Sequence, residues 1–303
     1  MKKIFSLTAL LVANIVPAVQ AAEKPYEGIA KPWQLNFGEA ATPVMEQLDA
    51  MHDILLFMCF AISIFVLVLL IYICFRFNRK RNPVASKTTH NTTLEILWTT
   101  IPILILVAIS IPSLRLHYFM ERDVDSEMTL KVVGNQWYWH YEYPDSGGVN
   151  FDSYMIKDKD LKEGDHRLLA VDNRLVVPVD TRIRVLVTGA DVIHAFAVPA
   201  FGIKRDAIPG RLNETWFKAT KIGTFYGQCS ELCGVGHGFM PIVVDVVSKE
   251  DFAAWIATKK KEAGITDKPA ETTDSKATDA KATDVKAADP KANDKAINNK
   301  TKH

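Results

Sequence analysis

Residues 54–75 read I-L-L-F-M-C-F-A-I-S-I-F-V-L-V-L-L-I-Y-I-C-F, 22 consecutive positions without a charge. At roughly 1.5 Å per residue a helix of that length covers about 30 Å, the thickness of a bilayer's hydrocarbon layer. A buried helix of a water-soluble domain rarely excludes every charge over so long a run, so the stretch predicts a membrane span. Cys59 and Cys74, in or at the end of it, read as small apolar fillers. Downstream, residues 96–114 form a second uncharged run of 19 positions. Pro102 and Pro112 fall inside it, and membrane helices tolerate proline where neighbours satisfy the freed backbone. A two-helix transmembrane hairpin is therefore expected.

Between the runs, residues 76–95 carry Arg76, Arg79, Lys80, Arg81 and Lys87 against one acid, Glu95. Basic residues concentrate on the cytoplasmic side of short membrane loops, which puts this loop inside and both flanking segments outside. The start of the chain agrees. Lys2 and Lys3, a mostly apolar stretch over 4–16 and Ala18-Val19-Gln20-Ala21 fit a secretory signal over 1–21, with an apolar part too short to span. The expected division is a periplasmic amino-terminal segment over 22–50 and the hairpin over 51–115. A multi-pass protein of a bacterial inner membrane follows, with its amino terminus and everything beyond Arg115 on the periplasmic side.

Beyond the second run the texture changes to short β-rich segments between turn residues, at 128–133, 137–143, 182–188, 214–219 and 241–247. Strands at this spacing predict an antiparallel sandwich or barrel. A short helix is expected next, with Ser248 as N-cap, Glu250 and Asp251 in its first turn and Phe252, Trp255 and Ile256 on one face. The outer domain is thus placed over 116–262. The segment 263–303 carries a five-residue Lys-Ala-(Thr/Ala/Asn)-Asp repeat with few bulky apolar side chains, and such a composition is expected to be disordered. Residues 121–251 hold 20 acids against 15 Lys and Arg, a balance of −5. That excess disfavours nucleic acid and favours a cationic partner.

The chemistry is concentrated at 229–240, C-S-E-L-C-G-V-G-H-G-F-M. Cys229, Cys233, His237 and Met240 are soft-metal ligands, and His194 in D-V-I-H-A-F offers another imidazole. Thiolate, imidazole and thioether together are the ligand set of a copper electron-transfer site. A mononuclear site needs one thiolate, so the second suggests a dinuclear centre. Three alternatives stay open on the residues alone. Two nearby cysteines of an exported domain often form a disulfide. Zinc accepts two Cys and two His, although it has no use for Met240. A [2Fe–2S] cluster would not need the Met either.

Taken together, these segments resemble subunit II of the haem-copper cytochrome c oxidases over roughly residues 40–258. The resemblance is carried by Y-G-Q-C-S-E-L-C-G-V-G-H-G-F-M-P-I-V-V at 226–244, D-V-I-H-A-F around His194 and K-R-D-A-I-P-G-R-L-N at 204–213. V-D-N-R at 171–174, Q-W-Y-W at 136–139 and L-E-I-L-W-T-T-I-P at 94–102 fit as well. It implies a cupredoxin-like Greek-key β-barrel over the membrane hairpin, holding the two copper ions of a CuA centre. Cys229 and Cys233 would bridge both coppers, His194 and His237 would each cap one, and Met240 and the Glu231 carbonyl would be weak axial ligands. The Glu231 side chain would face a magnesium ion at the border with subunit I.

The same resemblance makes Trp137 the point where electrons arrive from cytochrome c. It places Glu142, Asp152, Asp172 and Asp191 around the docking face and Glu95 at the mouth of a proton pathway into subunit I. Each of these has a plainer reading, as a packed aromatic, a solvated carboxylate or an acid favoured at a helix start. Tyr138 and Tyr143 keep the packing role. The implied function is that of an electron inlet, with oxygen reduced in subunit I and subunit III as a further partner. Rival readings are a CuA inlet for another terminal reductase such as a nitric oxide reductase, and a non-redox assembly module closed by zinc or a disulfide. A quinol oxidase subunit II would lack the copper ligands. Asn135 and His140 depart from the family, which commonly has His and Ser there. The repeat tail lies outside its pattern.

Overall fold

The computed structural model of the 303-residue chain describes residues 26–122 and 125–265. The expected signal over 1–21 and all but the first three residues of the expected tail over 263–303 lie outside the described residues. The first strand, β1 (Tyr26–Gly28), precedes two long helices, α1 (Pro43–Arg76) and α2 (Thr92–Glu121). Both are long and apolar enough to cross a membrane, and the side chains of their apolar windows are unburied. Each helix outruns its uncharged stretch because a cap is available further out. The Thr42 hydroxyl accepts from the Met45 amide at 3.1 Å with Pro43 at the first helical position, and Asn91 Oδ1 accepts from the Leu94 amide at 3.2 Å. Such caps satisfy otherwise orphaned amides of the first turn.

The outer domain then runs β2 (Met128–Asn135), β3 (Tyr138–Tyr143), β4 (Val149–Ser153), β5 (Leu175–Pro178), β6 (Arg182–Gly189), β7 (His194–Val198), β8 (Ile203–Ala207), β9 (Asn213–Lys218), β10 (Gly223–Gln228) and β11 (Pro241–Val247). They form a four-stranded sheet ordered β1-β10-β11-β5, a five-stranded sheet ordered β4-β3-β2-β6-β9, and the β7-β8 hairpin. Among the described residues, β1–β10, β11–β5 and β2–β6 pair in parallel. The strand spacing predicts an antiparallel sandwich or barrel, and these three parallel pairs are additions to that pattern. Long excursions between paired strands, such as residues 136–181 between β2 and β6, are what permit the parallel ones.

Period-two alternation explains the aromatic stretch on β3. Trp139, Tyr141 and Tyr143 face the core, whereas Tyr138, His140 and Glu142 face out. The Tyr143 hydroxyl donates to the Val176 carbonyl at 2.8 Å and accepts from the Val176 amide at 3.1 Å, locking β3 to β5. Tyr138 instead stacks on Tyr154 with ring centroids 4.5 Å apart. The last helix, α3 (Lys249–Glu262), starts at the Ser248 cap, whose hydroxyl accepts from the Asp251 amide. Its Phe252, Trp255 and Ile256 cover the core, joined by Ile265 just beyond the helix.

The outer domain sits directly on the helix ends. Ala41 and Thr42 are fully buried, and the Thr42 hydroxyl donates to the Phe201 carbonyl at 2.7 Å. The Ala41 amide donates to the Ala200 carbonyl, and the Thr220 amide to that of Ala41. Gly202 has φ +68°, and a Cβ there would lie 3.0 Å from the Met45 Cα, so glycine permits both the turn and the close approach of α1. At the other helix, Arg205 donates to Glu121 at 2.6 Å, Phe119 packs on Trp216, and the Arg122 guanidinium lies over both rings.

Candidate metal centre

Strands β10 and β11 are antiparallel neighbours with Gln228 opposite Pro241. The ligand-rich stretch 229–240 is therefore the loop joining two adjacent strands, with both ends held by the sheet. Cys229 follows β10 immediately and Met240 precedes β11 immediately. His194 opens β7, which the loop grips through the Ser230 amide donating to the Ala195 carbonyl at 3.0 Å. Sequence-distant ligands are thus brought together by strand ends.

Cys229 and Cys233 are buried free cysteines with their sulfurs 3.8 Å apart. His194 Nδ1 lies 4.0 Å from the Cys229 sulfur, and His237 Nδ1 lies 3.6 Å from that of Cys233. Met240 Sδ is also 3.6 Å from the Cys233 sulfur, and the Cys229 sulfur is 3.3 Å from the Glu231 carbonyl oxygen. The ligand atoms of His194, Cys229 and Cys233 all fall within 4.8 Å of one another. His194 and Met240 are sealed from solvent, whereas His237 is half-buried. Two thiols flanked by separate imidazoles, with a thioether and a carbonyl at the periphery, fit a soft borderline metal such as copper. Burial, reinforced by the neighbouring Cys229, pushes the Cys233 thiol up to about 12. The metal-free chain therefore carries a protonated Cys233 thiol at neutral pH, and metal binding must release its proton.

A second layer of side chains fixes these ligands. Asp191 Oδ1 accepts from His194 Nε2 at 2.8 Å and from the Val192 amide, while Oδ2 accepts from the Gln136 amide at 2.7 Å. Burial alone would raise this carboxyl, but the hydrogen bonds from His194, Val192 and Gln136 outweigh it and hold Asp191 below the usual carboxylate range. By bonding Nε2, Asp191 leaves Nδ1 directed at the sulfurs. Outer-shell partners of this kind typically contribute about 10- to 100-fold to metal affinity. Asp191→Asn is accordingly expected to weaken copper retention by about that factor, with chelator competition as the measurement.

Trp137 lies against the loop itself. Its Nε1 donates to the Cys233 carbonyl at 3.2 Å, and Gln136 Nε2 donates to the same oxygen at 2.8 Å. A Cβ on Gly236 would fall 2.3 Å from the Trp137 ring, so only glycine lets the indole lie this close. Behind the loop, Trp139 Nε1 donates to the Met240 carbonyl at 3.1 Å. The sequence reading assigned no role to Gln136 or Trp139 and counted Asp191 only among docking acids. The Asp191–His194 separation of three residues and the inward phase of Trp139 on β3 were the available signals.

The remaining acids are partly or fully exposed. Glu142 pairs with Lys131 at 2.8 Å and Asp152 with His140 at 2.7 Å, both on the outward face of the five-stranded sheet. Asp172 is exposed and accepts from the Tyr154 and Asn173 amides. The Glu231 side chain is exposed at the loop surface, and Glu95 is exposed in the first turn of α2.

Two family descriptions match the chain. Residues 30–116 fit the transmembrane domain of cytochrome c oxidase subunit II, and residues 128–247 fit the periplasmic domain of the same subunit. The chain belongs to the cytochrome c oxidase subunit II family. A probable cytochrome c oxidase subunit 2 of Rickettsia bellii is 54% identical over 232 residues, covering 77% of this chain and 86% of the relative. That of Rickettsia prowazekii is 56% identical over 231 residues, covering 76% and 74%. The crystal structure of the periplasmic domain of the Bradyrhizobium japonicum subunit II is 62% identical, covers 46% of this chain and 97% of that one, and superposes with a TM-score of 0.43. As a subunit II, the chain is one component of a haem-copper oxidase, and its His194–Cys229–Cys233 cluster is a candidate copper site.

Proposed function

We propose that this chain is the electron inlet of a terminal cytochrome c oxidase, binding two copper ions in a CuA centre. The carrying observation is the pair of buried thiols 3.8 Å apart with an imidazole nitrogen beside each sulfur. Held there, a dinuclear copper centre supplies one-electron transfer from cytochrome c towards the haem of subunit I, where oxygen is reduced to water.

The protein's own residues serve that transfer in distinct ways. Cys229, Cys233, His194, His237, Met240 and the Glu231 carbonyl would hold the copper, the two thiols giving up their protons to it. The sealed His194 and Met240 side chains exclude water from one flank. Trp137, one hydrogen bond from the Cys233 backbone, receives the electron from cytochrome c. Glu142, Asp152, Asp172 and Asp191 supply the negative field that draws a basic cytochrome, an attraction that salt weakens. The exposed Glu231 carboxylate would hold a magnesium ion at the subunit I border, and subunit III would complete the assembly. The two helices anchor the chain in a bacterial inner membrane with the β domain on the periplasmic side. Metal analysis tests the core of this reading: two coppers per chain with a mixed-valence spectrum support it, and zinc or no metal would defeat it.

Glu95 is assigned the mouth of a proton pathway, since ionisable groups at membrane boundaries mark proton routes. Glu95→Ala is expected to slow turnover of the assembled oxidase while leaving its copper content intact. Unchanged turnover would remove the role.

A further inference from the structure

The segment ahead of α1 carries a feature the copper chemistry does not use. Residues 31–37 read K-P-W-Q-L-N-F, and Trp33 is 98% exposed and Leu35 90% exposed, with Phe37 exposed beside them. Trp33 and Asn36 both have positive φ, at 62° and 72°, a conformation that side-chain-bearing residues avoid. The backbone is nevertheless held there. The Gln34 amide donates to the Lys31 carbonyl at 3.0 Å, and Gln34 Oε1 accepts from the Lys31 amide at 2.9 Å. The outcome is a loop that turns Trp33 and Leu35 away from the rest of the chain.

Where the loop sits along α1 indicates what covers it. Phe37 packs edge-on against His52 with ring centroids 4.7 Å apart, and Asn36 Nδ2 donates to Asp53 Oδ1 at 3.4 Å. His52 and Asp53 are the last polar residues before the uncharged run that starts at Ile54. From Pro43 to His52 the helix descends roughly 14 Å. The loop therefore folds back from the outer domain to the level at which α1 becomes lipid-like. Tryptophan and tyrosine concentrate at that boundary, where an indole is part wet and part dry.

We propose that the loop 31–37 is an interfacial hook, with Trp33 and Leu35 inserted at the headgroup–acyl boundary of the leaflet facing the β domain. The bilayer, not another protein, is its partner. The inference rests on α1 and α2 being bilayer spans, and the test separates the two claims.

Assembled oxidase is reconstituted into phosphatidylcholine vesicles brominated either near the headgroup or deep in the acyl chains. The Trp33 signal is taken as the fluorescence difference from Trp33→Phe, and that of Trp98, within the apolar run of α2, from Trp98→Phe. The expected result is quenching of the Trp33 component by shallow bromines more than by deep ones, and protection from aqueous iodide. Quenching by iodide alone would overturn the hook, as would protection from both quenchers. If the Trp98 component escapes both bromolipids, the spans themselves fail. If it is quenched and the Trp33 component is not, only the hook fails. Should Trp33→Phe disrupt assembly, a benzophenone side chain in place of Leu35 gives the same reading. Photocrosslinks to phospholipid support the hook, and crosslinks to another oxidase subunit overturn it.

Discussion

Cys233→Ser is expected to strip the purified oxidase of copper at this centre and to abolish cytochrome c oxidation, whereas Cys229→Ser is expected to retain at most one copper. The asymmetry follows from the loop geometry. His237 and Met240 each lie 3.6 Å from the Cys233 sulfur, so removing that sulfur leaves both without their common neighbour. Removing Cys229 still leaves a thiolate, an imidazole and a thioether on one loop, which suffices for a single soft metal. Both losses exceed the roughly 10- to 100-fold that outer-shell changes produce, because a hydroxyl does not replace a thiolate for a soft ion. Copper content and the electron spin resonance spectrum are the measurements. Equal retention of two coppers with an unaltered spectrum in either variant would contradict the bridging arrangement.

Trp137→Ala is the second large effect, expected to slow reduction by cytochrome c on the order of 10²-fold while copper content stays unchanged. The indole is at the surface and is bonded to a ligand residue, through its hydrogen bond to the Cys233 carbonyl. Truncation to alanine would open a gap between a docked cytochrome and the loop. A small soluble reductant that reaches the loop directly supplies the control. Its rate should change little in the variant. Equal slowing with both reductants would mean that the substitution has disturbed the metal loop itself.

The membrane hairpin and the ligand loop were legible because each is written in contiguous residues. Residues 54–75 carry their own signal, and 229–240 spells out four of the ligands in order. What the sequence hid depends on the third dimension. The helix starts at Thr42 and Asn91 look like any polar residue until an amide is seen donating to their side chains. The parallel pairing of β2 with β6 joins strands nearly fifty residues apart, and no local pattern reports it. Asp191 carries the same kind of ambiguity, since a carboxylate near a docking face and one orienting a buried imidazole have the same letter. Its three simultaneous hydrogen bonds distinguish them.

The burial of Ala41 and Thr42 beneath the β7–β8 turn has a consequence for how electrons are timed. Were the copper-bearing head suspended on a slack tether, its distance to any acceptor in the membrane would fluctuate, and transfer rates, which fall steeply with distance, would scatter with it. The hydrogen bonds from the Ala41 amide, the Thr42 hydroxyl and the Thr220 amide tie the start of the first transmembrane helix directly to the head. The bilayer, by gripping that helix, then sets the height of the metal loop, and the ruler for the electron's jump is built into the protein's foundation.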